Sequence, residues 1–213
     1  EWLESMRKEN GTLFSIGSSG IEMALGNYWN QTGALKAVTS WPQPEKTIPL
    51  LVISGSCSPV TTTQIDYAKA NGFEELIIDA KNCPVEKDII DRTIKILQQG
   101  KNLVVHTGKR EPAAISSEIT GKVLGSIARE AISHAGIRRV VIAGGDTSSH
   151  AAREIEVDAL EMIAPMVSGA PLCKVHSANK NIHGIEINLK GGQVGGKDYF
   201  LLYLLNHCHK FYR

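Results

Sequence analysis

The sequence predicts an α/β protein in which a mostly parallel sheet is flanked by helices and carries glycine-rich loops at the carboxyl ends of its strands. Two observations support this fold class. Short apolar runs alternate with amphipathic stretches along the chain, which is typical of strands joined by helices. One run, residues 140–143, is entirely apolar and stops at two glycines, as a strand buried on both faces does before a tight turn.

The strands and helices are predicted from local signals. Ser58 is a candidate N-cap and Pro59 a first-turn proline for a helix over residues 60–70, which Gly72 would end. Further helices are predicted over residues 21–28, from Pro84 to Gly100, over residues 113–135 with Gly136 as the stop, and from Tyr199. The predicted strands are residues 13–16, 50–53, 76–78, 103–106, 140–143 and 185–189.

A proline-rich segment, residues 41–49, predicts a domain boundary because its prolines forbid helix and favour an extended connector. We expect residues 47–213 to form one α/β domain. Residues 1–46 are expected to be the remnant of another domain together with the connector. The chain starts at Glu1 without an initiator methionine, so it is expected to be cut from a longer protein.

The amino-acid composition restricts which partners the protein can bind and in which cellular compartment it is expected. The 213 residues carry 23 basic and 22 acidic side chains, a formal charge of +1, which argues against nucleic acid and against an anionic membrane as partners. No apolar run has the roughly 18 residues of a membrane span. The four cysteines form no CxxC pair, which favours reduced thiols and a cytoplasmic location.

Three loops that follow predicted strands are candidates for chemistry. Residues 54–59 concentrate serine hydroxyls and amide N–H groups directly before a helix, and residues 144–149 combine two glycines with three potential caps. Residues 190–198 contain four glycines within six residues, which suggests positive φ angles or close approach to a ligand. Parallel strands would bring these loops to one crevice. The purely structural alternatives are capped turns for the first two loops and a flexible hairpin for the third.

Several standard motifs are absent from the sequence. There is no GxxxxGK[ST] P-loop, no GxGxxG spacing and no G-x-S-x-G nucleophile elbow. Cys57 has no histidine near it in sequence and is predicted to be a packing residue. His207, Cys208 and His209 would not share one helical face, so no metal ligands are predicted.

Four segments in a fixed order carry a resemblance to a known family. SGSCSPVTTTQI, VVIAGGDTSS, VSGAPLCKV and LKGGQVGGKDYF together closely resemble the carboxyl-terminal half of the four-carbon acid sugar kinases, which act on threonate, erythronate and oxo-tetronate. The resemblance spans residues 48–205, with a weaker match at SIGSSGIEMALGNYW. The chain departs from the family at Ser149, where a glycine is common, and at KGGQVGG in place of KSGNFG.

The resemblance implies a two-domain kinase whose missing upstream domain holds the sugar acid, while residues 47–213 bind ATP or ADP with Mg²⁺. By that implication Ser56, Gly145 and Gly192 contact ATP directly. Residues that shape the same pocket would be Gly144, Thr147 and Gly191. The chain alone is expected to bind nucleotide but to be inactive, and homo-oligomerisation is left open.

Phosphoryl transfer depends on positioning and charge neutralisation. Lys190 is a candidate point charge, and Asp146 is the candidate catalytic residue, either polarising the acceptor hydroxyl or holding Mg²⁺ through water. The structural alternative for Asp146 is an N-cap with no chemical role. Two other functions stay open for the chain: a phosphosugar-binding or isomerase-type α/β domain, and a non-catalytic interaction module.

Overall fold

The computed structural model describes residues 5–6, 11–14, 16–17, 19–36, 38, 40–79, 87–108 and 116–205. The chain divides into two compact units, Glu1–Trp41 and Pro42–Arg213. The first unit contains helix α1, Ser19–Gln31, which includes the helix predicted over residues 21–28. Residues 13, 14 and 16 form no strand, so that prediction is wrong for the residues described. Across the described ranges, no helix is long and apolar enough to cross a membrane.

The second unit is a seven-stranded sheet with helices between the strands. The strands are β1 Leu51–Ser54, β2 Glu74–Ile77, β3 Leu103–His106, β4 Arg139–Ala143, β5 Ala159–Val167, β6 Ala170–His176 and β7 Glu186–Lys190. The helices are α2 Pro59–Ala70, α3 Lys87–Gln98, α4 Ser117–Ala135, α5 Gly145–Glu154 and α6 Tyr199–Leu205. This confirms the predicted α/β class.

The sheet has the order β2-β3-β1-β4-β7-β6-β5. The first five strands in this order are parallel, and the β5–β6 hairpin adds two antiparallel strands at one edge. This hairpin was not among the strands predicted from the sequence. The first half of β5 is exposed and the pairing shifts register twice, so it lacks the regular alternation that marks a strand in sequence.

Local capping signals explain where the helices begin and end. The Ser58 side chain accepts a hydrogen bond from the N–H of Val60 at the start of α2, and Gly72 beyond its end has φ +90°. Helix α4 begins at Ser117 behind an N-cap at Ser116, four residues later than predicted, and Gly136 ends it in the left-handed conformation. Pro84, the predicted start of α3, lies outside the described residues.

The sheet separates two hydrophobic layers. Leu124 and Ile127 of α4 and Ala151 of α5 pack on one face, together with side chains of α3. Ile65 of α2 and Phe200 of α6 pack on the opposite face. The helix that follows β1 and the helix that follows β4 therefore lie on opposite sides of two adjacent strands. Such a reversal opens a crevice at the carboxyl ends of the strands, where α/β proteins bind ligands.

Arg139, the first residue of β4, is fully buried and ties three parts of the second unit together. Its guanidinium forms an ion pair with Glu186 of β7, with Nε 2.6 Å from Oε2. It also donates to the backbone oxygens of Glu45 and Tyr203. The sheet, the segment before β1 and the last helix thus share one buried cation, whose charge and donors are satisfied by these partners.

Candidate functional site

The three predicted loops follow the carboxyl ends of three adjacent parallel strands, β1, β4 and β7. They lie close together. A Cβ added to Gly192 would lie 3.1 Å from the Oγ of Ser56, and one added to Gly144 would lie 3.4 Å from the backbone nitrogen of Ser56. The same Cβ on Gly144 would be 3.0 Å from the Oγ1 of Thr147. The structure therefore brings Ser56, Gly144, Thr147 and Gly192 to one spot.

The loop after β1 is organised by its own serines. The N–H of Ser56 donates to the hydroxyl of Ser54, and the N–H of Ser58 donates to the hydroxyl of Ser56. These short-range bonds fix the loop before α2 begins. Cys57 is exposed between them, so its prediction as a packing residue is wrong.

The loop after β4 leads directly into α5. Gly144 is the N-cap with φ +122° and no side chain caps the helix, so the first amide N–H groups of α5 have no acceptor within it. Gly145 has an ordinary φ and nothing within 4 Å of an added Cβ. Asp146 is exposed in the first turn. Because Gly144 occupies the N-cap position, the structural alternative that made Asp146 the cap is wrong.

Small residues bring α5 close to its neighbours. A Cβ on Gly121 would lie 2.4 Å from the Cβ of His150, and one on Gly125 would lie 2.8 Å from the backbone oxygen of Ala151. Gly55 is equally confined, since its added Cβ would be 2.5 Å from the Oγ1 of Thr147. The first turn of α5 is thus fixed from two sides, by α4 and by the loop after β1.

Side chains of α2 fasten the glycine-rich loop after β7. The Nε2 of Gln64 donates to the backbone oxygens of Val194, Gly195 and Gly196, at 3.0, 3.2 and 2.9 Å. The hydroxyl of Thr61 donates to the backbone oxygen of Gly192 at 3.0 Å. A trans peptide holds C=O and N–H on opposite sides, so the N–H groups that follow these carbonyls point away from α2.

Lys190 supports the same loop from beneath. Its side chain is 1% exposed, and its ammonium donates to the Oγ1 of Thr61 and to the backbone oxygens of Gly191 and Gly192. Burial lowers the pKa of Lys190 to about 8. All three N–H groups of the ammonium donate to acceptors within the protein, so the ammonium stabilises the conformation of the loop. The expectation that Lys190 offers its charge directly to a ligand does not fit this geometry.

A cavity of about 240 Å³ adjoins Ser56 on the α2 side of the sheet. Its wall includes Ile65, Ile77, Glu75 and His106. The remaining lining residues are Thr62, Asp66, Lys69 and Gly108. Sequence reasoning missed this cavity, because its walls come from three separate elements and no motif links them.

Glu75 and His106 form a network in this cavity. The N–H of Gly108 donates to Nδ1 of His106, so the ring proton sits on Nε2, which donates to Glu75 Oε1 at 3.0 Å. Lys69 forms an ion pair with Glu75 at 2.7 Å. Burial raises the pKa of Glu75, but the hydrogen bonds from Lys69 and His106 outweigh it and leave the pKa below its usual value.

The side chains at the crevice could hold Mg²⁺ only together with the phosphates of a bound nucleotide. The described part of the chain contains no group of three or more His, Cys, Asp or Glu side chains that could hold a metal ion. The exposed Asp146 offers one carboxylate at the crevice. Mg²⁺ commonly binds one or two carboxylates together with substrate phosphates, and one carboxylate is what this site supplies.

The fold and the site define a class of protein: an α/β domain that gathers backbone N–H groups at the carboxyl edge of a parallel sheet. The family described as the nucleotide-binding C-terminal domain matches residues 51–200, and the chain belongs to this family.

Curated relatives are sugar-acid kinases. The chain is 33% identical over 212 residues to 3-oxo-isoapionate kinase from Paraburkholderia graminis, covering 88% of this chain and 45% of that protein. It is 25% identical over 195 residues to 3-oxo-tetronate kinase from Pseudomonas fluorescens, covering 86% and 44%. These matches confirm the resemblance to the four-carbon acid sugar kinases. The chain spans about half the length of the curated relatives it matches.

Solved structures support the fold. A domain of unknown function from Bordetella bronchiseptica, described with bound citrate as a domain-swapped dimer, has a TM-score of 0.63 at 17% identity over 76% of this chain and 41% of that chain. A Haemophilus influenzae protein has a TM-score of 0.61 at 18% identity over 82% and 44%.

Proposed function

We propose that residues 47–213 are the ATP-binding domain of a sugar-acid kinase, in which the crevice at the ends of β1, β4 and β7 holds the phosphates. The observation that carries this proposal is that the loops after β1, β4 and β7 meet at one place, with Gly192 and Gly144 both packed against Ser56. Free N–H groups at a helix start and in glycine-rich turns favour phosphate oxygens.

Each loop has a distinct part in this proposal. The first N–H groups of α5, at Gly145 and beyond, would donate to phosphate oxygens. Ser56 would add its hydroxyl, whose oxygen already accepts from Ser58. Gly192 would let the backbone of the third loop approach closely, while Gly144, Thr147 and Gly191 shape the wall. Preorganised donors of this kind stabilise charge without reorganising during the reaction.

Asp146 is proposed as the catalytic carboxylate, because it is exposed at the start of α5, beside the crevice. It would accept a hydrogen bond from the acceptor hydroxyl or hold Mg²⁺ through water. Mg²⁺, when bound, neutralises charge on the phosphates. Asp146→Asn should leave nucleotide affinity largely intact and lower turnover of the whole enzyme.

The activity itself is proposed for the whole protein, since this chain spans about half of its curated relatives. The relatives named for 3-oxo-tetronate and 3-oxo-isoapionate suggest a sugar acid as acceptor. The sugar acid is proposed to bind mainly outside residues 47–213. We therefore expect this chain to bind MgATP and MgADP but not to phosphorylate a sugar acid alone.

Calorimetric titration of the chain with ATP and ADP tests the proposal. Gly145→Val should abolish binding, because the open space beside Gly145 is where the phosphates would lie. Ser56→Ala should weaken binding by about 0.5–1.5 kcal/mol, the net contribution of one hydrogen bond. The matched control is Gly26→Val in α1, which also has nothing within 4 Å. Binding of sugar phosphates without any binding of ATP would favour a phosphosugar-binding domain instead.

A further inference from the structure

We propose that the cavity between α2 and strands β2 and β3 receives the nucleoside part of the bound nucleotide. This inference rests on the proposed function, which places the phosphates at the ends of β1, β4 and β7. Ser56 belongs to both regions: it lines the cavity and it contacts Gly192 across the phosphate crevice. A nucleotide whose phosphates lie in the crevice could therefore extend past Ser56 into the cavity.

The size of the cavity decides which part of a ligand it suits. Its volume is about 240 Å³. Pockets that enclose a whole drug-sized ligand usually measure roughly 300–1,000 Å³. The cavity is thus too small for a complete nucleoside triphosphate and is suited to a fragment of one.

The apolar part of the wall suits a flat ring. Ile65 is buried on α2, and Ile77 at the end of β2 is 61% exposed although it is a large aliphatic residue. A base placed against Ile77 would remove this side chain from water. Removing apolar surface from water is favourable, so this contact would stabilise the bound base.

The charge of the wall indicates which end of a nucleotide enters. Lys69 is paired with Glu75, and Nδ1 of His106 accepts a hydrogen bond from the backbone N–H of Gly108. Asp66 adds a further carboxylate, so two carboxylates and one ammonium line the cavity. Phosphates would be repelled here, whereas the hydroxyls of a ribose or the amino group of a base would donate to a carboxylate. The nucleoside end therefore fits and the phosphate end does not.

The experiment compares ATP with inorganic tripolyphosphate, which has the phosphates but no nucleoside. Both are titrated calorimetrically into the wild-type chain, Ile77→Glu and Asp66→Asn. Both side chains are exposed, so the variants should fold, which far-UV circular dichroism verifies. The matched control is Met162→Glu, because Met162 is also an exposed apolar residue and lies on β5, outside the cavity.

We expect Ile77→Glu to weaken ATP binding about tenfold or more, because a charged side chain would replace the apolar surface that contacts the base. A tenfold change corresponds to about 1.4 kcal/mol. Asp66→Asn should also weaken ATP binding, while tripolyphosphate affinity should change less than about twofold in Asp66→Asn and in the control. Unchanged ATP affinity in both cavity variants, with binding still lost in Gly145→Val, would overturn the nucleoside assignment alone. Failure of the wild-type chain to bind either compound would overturn the proposed function and this inference with it.

Discussion

The ammonium of Lys190 and the hydroxyl of Thr61 lie 3.0 Å apart inside the protein, although 129 positions separate them in the chain. The hydroxyl of Thr61 in turn donates a hydrogen bond to the backbone oxygen of Gly192, 3.0 Å away. A continuous series of hydrogen bonds therefore runs from the end of β7 through α2 to the glycine-rich loop. The conformation of that loop is set by polar side chains beneath it.

Gln64→Leu should destabilise the second unit and loosen the glycine-rich loop. The substitution removes the donor to three backbone oxygens in a part-buried region. Leaving buried acceptors unsatisfied costs about 1–3 kcal/mol. Urea denaturation should show a loss of this size, and amide exchange at Gly195 and Gly196 should accelerate.

Gln99→Leu is the matched control, because Gln99 is exposed just beyond α3 and far from the loop in sequence. Its stability should stay within about 0.5 kcal/mol of the wild type. Equal losses in the two variants would contradict the role assigned to Gln64.

The buried ammonium should make stability increase with pH above about 8. Lys190 has a pKa of about 8 when folded and the ordinary 10.5 when unfolded. Between these values the unfolded chain binds more protons than the folded chain, so the free energy of unfolding increases with pH. The full shift corresponds to about 3 kcal/mol at 1.36 kcal/mol per pKa unit.

Urea denaturation from pH 7.5 to 10 measures this slope, and Lys190→Met should remove it. The range stops at pH 10 because burial raises the pKa of Tyr199 to about 12, which has the opposite effect once an unfolded tyrosine ionises. A slope that persists unchanged in Lys190→Met would assign it to other groups.

Gly144→Ala and Gly145→Ala should differ although they are neighbours. Gly144 has φ +122°, and its added Cβ would lie 3.0 Å from Thr147 Oγ1, so alanine should cost about 1–3 kcal/mol of stability. Gly145 is helical with open space beside it, and alanine there should be neutral or stabilising by up to about 1 kcal/mol. Thermal unfolding should give a lower Tm for Gly144→Ala than for Gly145→Ala. Equal Tm values would refute the assignment of strain to Gly144.

Gly125→Val should separate α4 from α5. An added Cβ would already lie 2.7 Å from the Cβ of Glu154, so valine cannot be accommodated without moving a helix. Overpacking of this kind costs about 1–3 kcal/mol, which urea denaturation would detect. Ser133→Val on the same helix controls for the helix propensity of valine. A similarly small effect in both would show that the two helices adjust freely.

The sequence was sufficient for the features that depend on local chemistry. Ser58 and Pro59 start α2, Gly136 ends α4, and the apolar runs of β1, β3 and β4 are strands as predicted. The alternation of strands and helices was sufficient to predict the class of sheet. The family followed from four ordered segments, and the match over residues 51–200 bears it out.

Features that depend on which way a side chain points were not predictable. Lys190 has the sequence context of a phosphate-binding lysine, yet its position in β7 directs it towards Thr61. The four glycines of the loop after β7 suggested positive φ angles or close approach to a ligand, and among them only Gly195 has a positive φ. The network of Glu75 and His106 joins two strands, so no spacing along the chain could reveal it.

The buried guanidinium of Arg139 limits how far the protein can be truncated at its amino-terminal side. It needs the carbonyl of Glu45 at one end of the α/β unit and that of Tyr203 near the other. An expression fragment trimmed to begin at Thr47 would remove the first acceptor and leave a donor of a buried cation unmatched. A fragment made for crystallisation or titration should therefore start no later than Pro42, where the compact unit itself begins.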